Sequence, residues 1–324
     1  MYSVRHLNDI VNKSFLTINL NKEPQNLYDP IAYILNIGGK RIRPILTLAG
    51  CNVFSDNIDE AIKPAIAVEI FHNFTLIHDD IMDNAELRRG KETIHKQWND
   101  NVAILSGDAM TIIAYQLLSR VNYKHLPRVL NIFNSFALGI CEGQQYDMDF
   151  EKRGAITRDE YLQMIELKTA ILLKGALQIG AVIGGASDEN IDRIGEFGRC
   201  LGLAFQLQDD FLDTYGNSEI FGKTIGGDIV AGKKTILTVE AIEGLDNNDV
   251  LEFQKVLSDK STEKDKKISA VKGYYEDVNA KSKVENLIEQ YFSQAMEWLD
   301  SISEAKERKV ILEKLSQNLM KREN

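Results

Sequence analysis

The chain of 324 residues carries 38 lysines and arginines against 48 aspartates and glutamates, and its net charge of −10 argues against nucleic acid or an anionic lipid surface as its partner. With 44% hydrophobic and 27% charged residues it is not a disordered chain. All 5 prolines (Pro24, Pro30, Pro44, Pro64 and Pro127) lie in its first part, and the long remainder without one excludes a Pro-rich linker or collagen and speaks for packed helices over a β-sandwich.

Helical punctuation recurs along the chain. Pro44 follows a Gly-Gly turn and opens the apolar segment RPILTLAGCNVF, as proline does in a first helical turn. Asn57 with Glu60 and Thr157 with Glu160 match the capping-box pattern, and Ser187 with Asn190 is a weaker cap. Apolar periodicity predicts helices over 61–83, 101–121, 128–149, 158–184, 188–215 and 235–257, with two or three more toward the C-terminus. The lysine-rich stretch 258–267 has no apolar face and is expected to be a solvated loop. No linker or internal repeat divides the sequence, so residues 1–324 read as a single domain.

Cys51, Cys141 and Cys200 are odd in number and widely spaced, which suits buried thiols in a reducing compartment. The first residues lack the continuous apolar stretch of a signal peptide. The apolar run 170–186 is broken by Lys174 and Gln178 and is short for a membrane span. A cytoplasmic protein without a membrane span is expected.

Two segments share one pattern. LIHDDIMD (76–83) and LQDDFLD (207–213) each place aspartates at i, i+1 and i+4. On a helix Asp79 and Asp83 lie roughly 40° apart, as do Asp209 and Asp213. Neighbours such as Ile77, Ile81, Phe205 and Phe211 keep these carboxylates, with Asp80 and Asp210, from all facing open water, and buried anions need partners. No lysine or arginine stands within four residues of either triplet, so a local ion pair is not expected. Mg2+, held by one or two carboxylates and substrate phosphates, is the natural counter-ion.

A polyanionic substrate would then meet separate cations. GGKRIRP places Lys40, Arg41 and Arg43 just before a helix N-terminus, where phosphate is favoured. Arg88 and Arg89 follow the first triplet, Lys168 sits among apolar residues in MIELKTAILL, and a Gly-rich segment carries Lys223, Lys233 and Lys234. Two stretches approach a phosphate-binding P-loop, but Gly216 to Gly222-Lys223-Thr224 has five intervening residues instead of four, Gly227 to Gly232-Lys233 has Lys234 where Ser or Thr is required, and both follow a helix rather than a strand, which disfavours an NTPase. An HD-type metal phosphohydrolase built on His78-Asp79 would leave the second triplet without a role, and a non-catalytic helical partner subunit would need neither triplet.

Taken together, GGKRIRP, FHNFTLIHDDIMDNAELRRG, Gly107-Asp108, LKTA (167–170), LAFQLQDDFLD and GKTIGGD followed by GKKT resemble the trans-isoprenyl diphosphate synthases of the polyprenyl synthetase family. The resemblance implies one all-α bundle around a central cavity, commonly a homodimer. It implies that Asp79, Asp83, Asp209 and Asp213 bind three Mg2+ ions, supported by Asp80 and Asp210. Arg88, Lys168, Thr169, Gln206, Lys223 and Lys233 would hold the allylic diphosphate, and Lys40, Arg43, His72 and Arg89 the isopentenyl diphosphate. Asp79, Asp83, Lys168 and Asp209 would serve catalysis. A class I terpene cyclase shares the bundle but typically lacks GGKRIRP and a second DDxxD. Phe74 and Thr75, five and four residues before Asp79, would limit chain length, and Phe74 in a compact DDxxD context implies a C15 to C20 product, C20 favoured. Thr75 shares the Asp79 face of the helix, while Phe74 lies roughly 140° away.

Overall fold

The computed structural model describes residues 2–216 and 225–321, and apart from one short hairpin their regular structure is helical. Helix α1 (Val4–Phe15) begins where Ser3 accepts a hydrogen bond from the His6 N–H. Then come α2 (Gln25–Asn36), α3 (Ile42–Phe54) with Pro44 in its first turn, and α4 (Asp59–Met82). The hairpin of β1 (Leu87–Arg88) and β2 (Lys91–Glu92) leads to α5 (Ile94–Gln97), α6 (Asp100–Leu118) and α7 (Leu126–Glu151). Helix α8 (Arg158–Ile165) runs into a π-helical turn (Glu166–Ala170), which α9 (Ile171–Ile183) and α10 (Asp188–Tyr215) follow. Further helices span Gly227–Ala231, Ile236–Gly244, Asn247–Ser258, Lys264–Asp277, Ala280–Ser301 and Lys306–Lys321.

The Thr157–Glu160 capping box forms as the sequence predicts. That at Asn57 does not: α4 starts later, with Ile58 as its cap, and the Asn57 side chain accepts from the Asp59 N–H at 2.9 Å instead. The segment 235–257 is two helices, because Asp246 caps a new one by accepting from the N–H groups of Asn248 and Asp249. Nor is 258–267 a loop throughout. A helix begins at Lys264, and Lys267 is buried with Nζ donating to the Val230 carbonyl at 3.2 Å. Cys51 and Cys200 are buried as expected, whereas Cys141 is exposed. The apolar run around α9 is core, with Leu172, Leu173, Leu177 and Ile179 buried. Among the described residues only α6 is long and apolar enough to cross a membrane.

The chain divides into two compact units. The first comprises Met1–Asn134, Gly175–Ile194 and Ser303–Leu312. In it α4 packs on α3 and α6, and α3 meets α9 backbone to backbone: a Cβ on Gly50 would lie 3.3 Å from the Leu177 Cα and closer still to its carbonyl. The second comprises Ser135–Lys174, Gly195–Ile302 and Glu313–Asn324, around a core that includes Phe150, Tyr161, Leu207, Leu237, Phe253 and Tyr275. Full burial of each such large apolar side chain contributes about 1.5 to 3 kcal/mol.

Candidate active site

The first aspartate triplet closes α4, with Asp79 and Asp80 in the last turn and Asp83 as the C-cap. Asp80 is buried, yet it is not without a cation. Asn84, at φ 49°, reverses the chain, the Ala85 N–H donates to the Asp80 carbonyl at 2.9 Å, and the returning strand carries Arg88 onto the Asp80 carboxylate. Arg88 Nε donates to both carboxylate oxygens at 2.9 and 2.8 Å, and Nη2 lies 2.7 Å from Oδ1. The expectation that the triplet has no ion-pair partner is therefore corrected for Asp80. The reversal at Asn84 is what brings Arg88, eight residues further along the chain, within reach of Asp80.

Around this helix end the cations gather. Gly38 and Gly39 take φ of 87° and 146°, a turn only glycine adopts readily, and a side chain on Gly39 would lie 2.6 Å from the Arg89 guanidinium. Arg89 Nη1 donates to the Gly38 carbonyl. Arg43 is pulled down to about 10 by burial, partly offset by Glu69, and its Nε has no hydrogen-bond partner. Burial first, and then Arg43, Arg89, Arg88 and Arg41, hold His72 well below the usual histidine range, so it is neutral near pH 7. Lys40 is exposed on the same glycine turn. A neutral donor among arginines, one of them with an unmet N–H, suits a multiply charged anion.

Glu69, which no sequence motif marks, is the buried anion of this group. Its Oε1 takes the Arg41 Nη1 at 2.8 Å, and Asn73 Nδ2 donates to its carbonyl at 2.7 Å. Arg41 also donates to the Leu35 carbonyl and lies 4.6 Å over the Phe15 ring. Arg41 is thus absorbed by the protein, leaving its sequence neighbours Lys40 and Arg43 as the cations of GGKRIRP available to an anion.

The second triplet lies near the end of α10. Asp210 is buried, and accepts from the Tyr161 hydroxyl, from Gln206 Nε2 at 3.0 Å and from the Ile236 N–H at 3.3 Å. Burial, reinforced by the charge of Asp228, raises its carboxyl to about 7 against these three hydrogen bonds. The Asp213 carboxylate accepts from the Asp228 N–H at 2.9 Å, so the Gly-Gly-Asp segment is tied back to the triplet. Asp228 was legible only as part of a Gly-rich run.

Lys168 and Thr169 sit in the π-turn. Lys168 Nζ is 2.5 Å from Asp147 on α7, which answers the cost of a lysine among apolar residues. Thr169 Oγ1 donates to Gln206 Oε1 at 3.0 Å, and Gln206 passes the connection to Asp210. Lys233 follows the Asp228 helix, its N–H donating to the Asp228 carbonyl at 2.9 Å, whereas Lys234 is spent on the carbonyls of Phe150 and Glu151. Lys223 lies outside the described residues.

Phe74 and Thr75 take different surroundings. The Phe74 ring packs on Phe71 at 5.2 Å and on His78 at 4.7 Å between centroids, against Gly107 of α6. Thr75 Oγ1 donates to the His72 carbonyl at 2.8 Å. The aromatic stack, not the threonine, forms the bulk on this stretch of α4.

Among the described residues no three His, Cys, Asp or Glu side chains meet closely enough to cage a metal ion by themselves. That donor set does not fit a cation needing a full shell of protein ligands. Mg2+ asks less of the protein, since it takes few carboxylates and completes its shell with water and phosphate oxygens, and the aspartates of either triplet are hard oxygen donors of that kind.

Helices bearing two aspartate triplets, with arginines and lysines for an anion beside them, define an isoprenoid synthase fold. The polyprenyl synthetase family profile matches residues 24–275, and the chain belongs to that family as a trans-prenyltransferase of the geranylgeranyl diphosphate synthase type. It is 41% identical over 222 residues to the geranylgeranyl diphosphate synthase of Methanosarcina mazei, covering 68% of each chain. With that of Sulfolobus acidocaldarius it shares 35% over 308 residues, 93% of this chain and 90% of the other. A crystal structure of a geranylgeranyl pyrophosphate synthase, 43% identical, superposes with a TM-score of 0.93 over 100% of both chains. Another, from Corynebacterium glutamicum and complexed with isoprenyl diphosphate and magnesium, is 26% identical with a TM-score of 0.83 over 98% and 97%.

Proposed function

We propose that this prenyltransferase condenses isopentenyl diphosphate with an allylic diphosphate (dimethylallyl, geranyl or farnesyl) to an all-trans C15 to C20 diphosphate, C20 favoured, in a Mg2+-dependent reaction. Residues 1–324 would act as one domain, in keeping with a family match that runs unbroken from 24 to 275. The observation that carries the reading is a pair of aspartate triplets on two long helices, each with its buried middle member anchored, Asp80 by Arg88 and Asp210 by Tyr161, Gln206 and Ile236. In this reading the middle aspartates support, and Asp79, Asp83, Asp209 and Asp213 are the metal ligands.

In this reading Arg88, Lys168, Thr169, Gln206, Lys223 and Lys233 receive the allylic diphosphate, and Lys40, Arg43, His72 and Arg89 the isopentenyl diphosphate. Mg2+, when bound, supplies positive charge at the diphosphate oxygens as the allylic C–O bond breaks. Lys168 and Arg88 add fixed charge to the departing diphosphate, and Asp147 and Asp80 hold them in place before substrate arrives. The isopentenyl double bond attacks the allylic cation, forming the new C–C bond, and the resulting cation loses a proton to the released diphosphate. Neutral His72 donates a hydrogen bond to the isopentenyl diphosphate without titrating.

Two further parts of the proposal concern setting. Ile104, Leu105, Ile112 and Tyr115 form one exposed apolar stripe on α6, which supports a homodimer through this face. Free thiols at Cys51, Cys141 and Cys200 support a reducing, cytoplasmic location. The function is tested by incubating the protein with isopentenyl and geranyl diphosphates with and without Mg2+. Mg2+-dependent incorporation of isopentenyl units is expected, and absence of incorporation in both overturns the proposal.

A further inference from the structure

The turn that carries Lys168 and Thr169 is not α-helical. The Ile171 N–H donates to the Glu166 carbonyl five residues back, so one extra residue is accommodated between α8 and α9 and the backbone widens there. Such a turn bulges toward its neighbours, and both neighbours have made room. On α7, a Cβ at Gly143 would lie 2.5 Å from the Lys168 backbone N and 2.8 Å from the Leu167 carbonyl carbon. On α10, a Cβ at Gly202 would lie 2.6 Å from the Ala170 Cα. A helical glycine costs about 1 kcal/mol relative to alanine, so two of them facing one five-residue turn mark a requirement for space.

Side chains on the same two faces fasten the turn. Asp147, one helical turn after Gly143, takes Lys168 at 2.5 Å. Arg199 and Gln206, which flank Gly202 at three and four residues, take Glu166 at 3.0 Å and Thr169 at 3.0 Å. Lys168 is thereby directed to α7 and its sequence neighbour Thr169 to α10, while Gly143 closely approaches the backbone of Leu167 and Lys168 and Gly202 that of Ala170 on the other side of the pair.

We propose that Gly143 and Gly202 are positioning residues for the allylic diphosphate, acting by seating the π-turn so that Lys168 and Thr169 present their polar groups in the required directions, with the Glu166–Arg199 pair as a third fastening. The proposal rests on the reading that Lys168 and Thr169 receive that diphosphate. An added methyl must push on backbone, and displacement of binding groups by about 1 Å is worth as much as 100-fold in rate.

The test uses the full-length protein and Gly143→Ala, Gly202→Ala, Lys168→Ala and the control Gly273→Ala, a helical glycine with nothing within 4 Å of its would-be Cβ. KM for each substrate and kcat are measured, together with calorimetric binding of the non-ionising thiolo analogue of farnesyl diphosphate with Mg2+. The two glycine variants should raise the allylic KM and the analogue Kd by roughly 10-fold or more, with isopentenyl KM within about 2-fold of wild type, and Gly273→Ala should change neither. A general loss of structure would shift both substrates together, and that outcome, or unaltered allylic binding beside a weakened Lys168→Ala, overturns the inference. Unaltered binding in Lys168→Ala itself would instead overturn the reading of Lys168. Should the glycine variants not fold, Glu166→Ala decides at a half-exposed position: a raised allylic KM at unchanged isopentenyl KM is expected, and no change overturns the proposal.

Discussion

Arg88 and Asp80 are joined at 2.7 Å but are unequal partners, the Asp80 side chain being 3% exposed and the Arg88 side chain 26%. Removing the arginine strands a carboxylate among apolar neighbours, whereas removing the acid leaves an arginine that reaches water. Arg88→Ala should lose roughly 3 to 5 kcal/mol of stability, and Asp80→Asn only about 1 to 2. Urea unfolding of both variants checks this, and equal losses would contradict the asymmetry.

Asp79→Ala should abolish turnover while leaving the helical circular dichroism signal close to that of wild type, because its proposed role is to hold metal for the diphosphate. Substantial residual activity would remove this residue from the metal site.

Glu69→Gln should act on both stability and binding. Arg41 is 8% exposed on its side chain and would keep a buried charge without a counter-charge, a loss of roughly 3 to 5 kcal/mol. The same carboxylate offsets the burial of Arg43 and Arg89, so the isopentenyl KM should rise more than the allylic KM. Steady-state kinetics with each substrate varied in turn distinguishes this from a uniform decline.

His72 provides a pH signature. Its folded pKa lies well below the ordinary histidine value, so between the two values the unfolded chain holds more protons than the folded one. The stability contributed by neutral His72 is complete above about pH 6.5 and is lost as the pH falls below it. Lowering the pH from about 7 to about 5 should therefore destabilise wild type more than His72→Gln, as read by the thermal midpoints. Parallel curves would show that His72 is protonated without penalty.

The parts of this molecule that were readable from sequence are those fixed by local rules. Thr157 and Glu160 announce a helix start because both ends of the capping box lie within one turn, and the aspartate triplets sit on helices because their apolar neighbours repeat at helical spacing. What escaped depends on the chain meeting itself. Arg88 reaches Asp80 only through the reversal at Asn84, Asp147 meets Lys168 from 21 residues away, and Tyr161 meets Asp210 from 49. ELKTA has ordinary helical periodicity, and its wider turn is set by the space that Gly143 and Gly202 leave. Lys267 shows the converse error, since a lysine among lysines reads as solvated until its neighbours bury it.

Chain growth to a defined length is the central claim, and product analysis after incubation with isopentenyl and farnesyl diphosphates and Mg2+ tests it most directly. The proposed role of Phe74 as the limit on chain length, which the family resemblance implies, predicts a C20 diphosphate as the main product, with longer chains appearing only when Phe74, packed on Phe71 and His78, is replaced by alanine. A main product of C25 or longer from the wild-type enzyme would contradict the assigned length, and a cyclised hydrocarbon without isopentenyl incorporation would contradict the reaction itself.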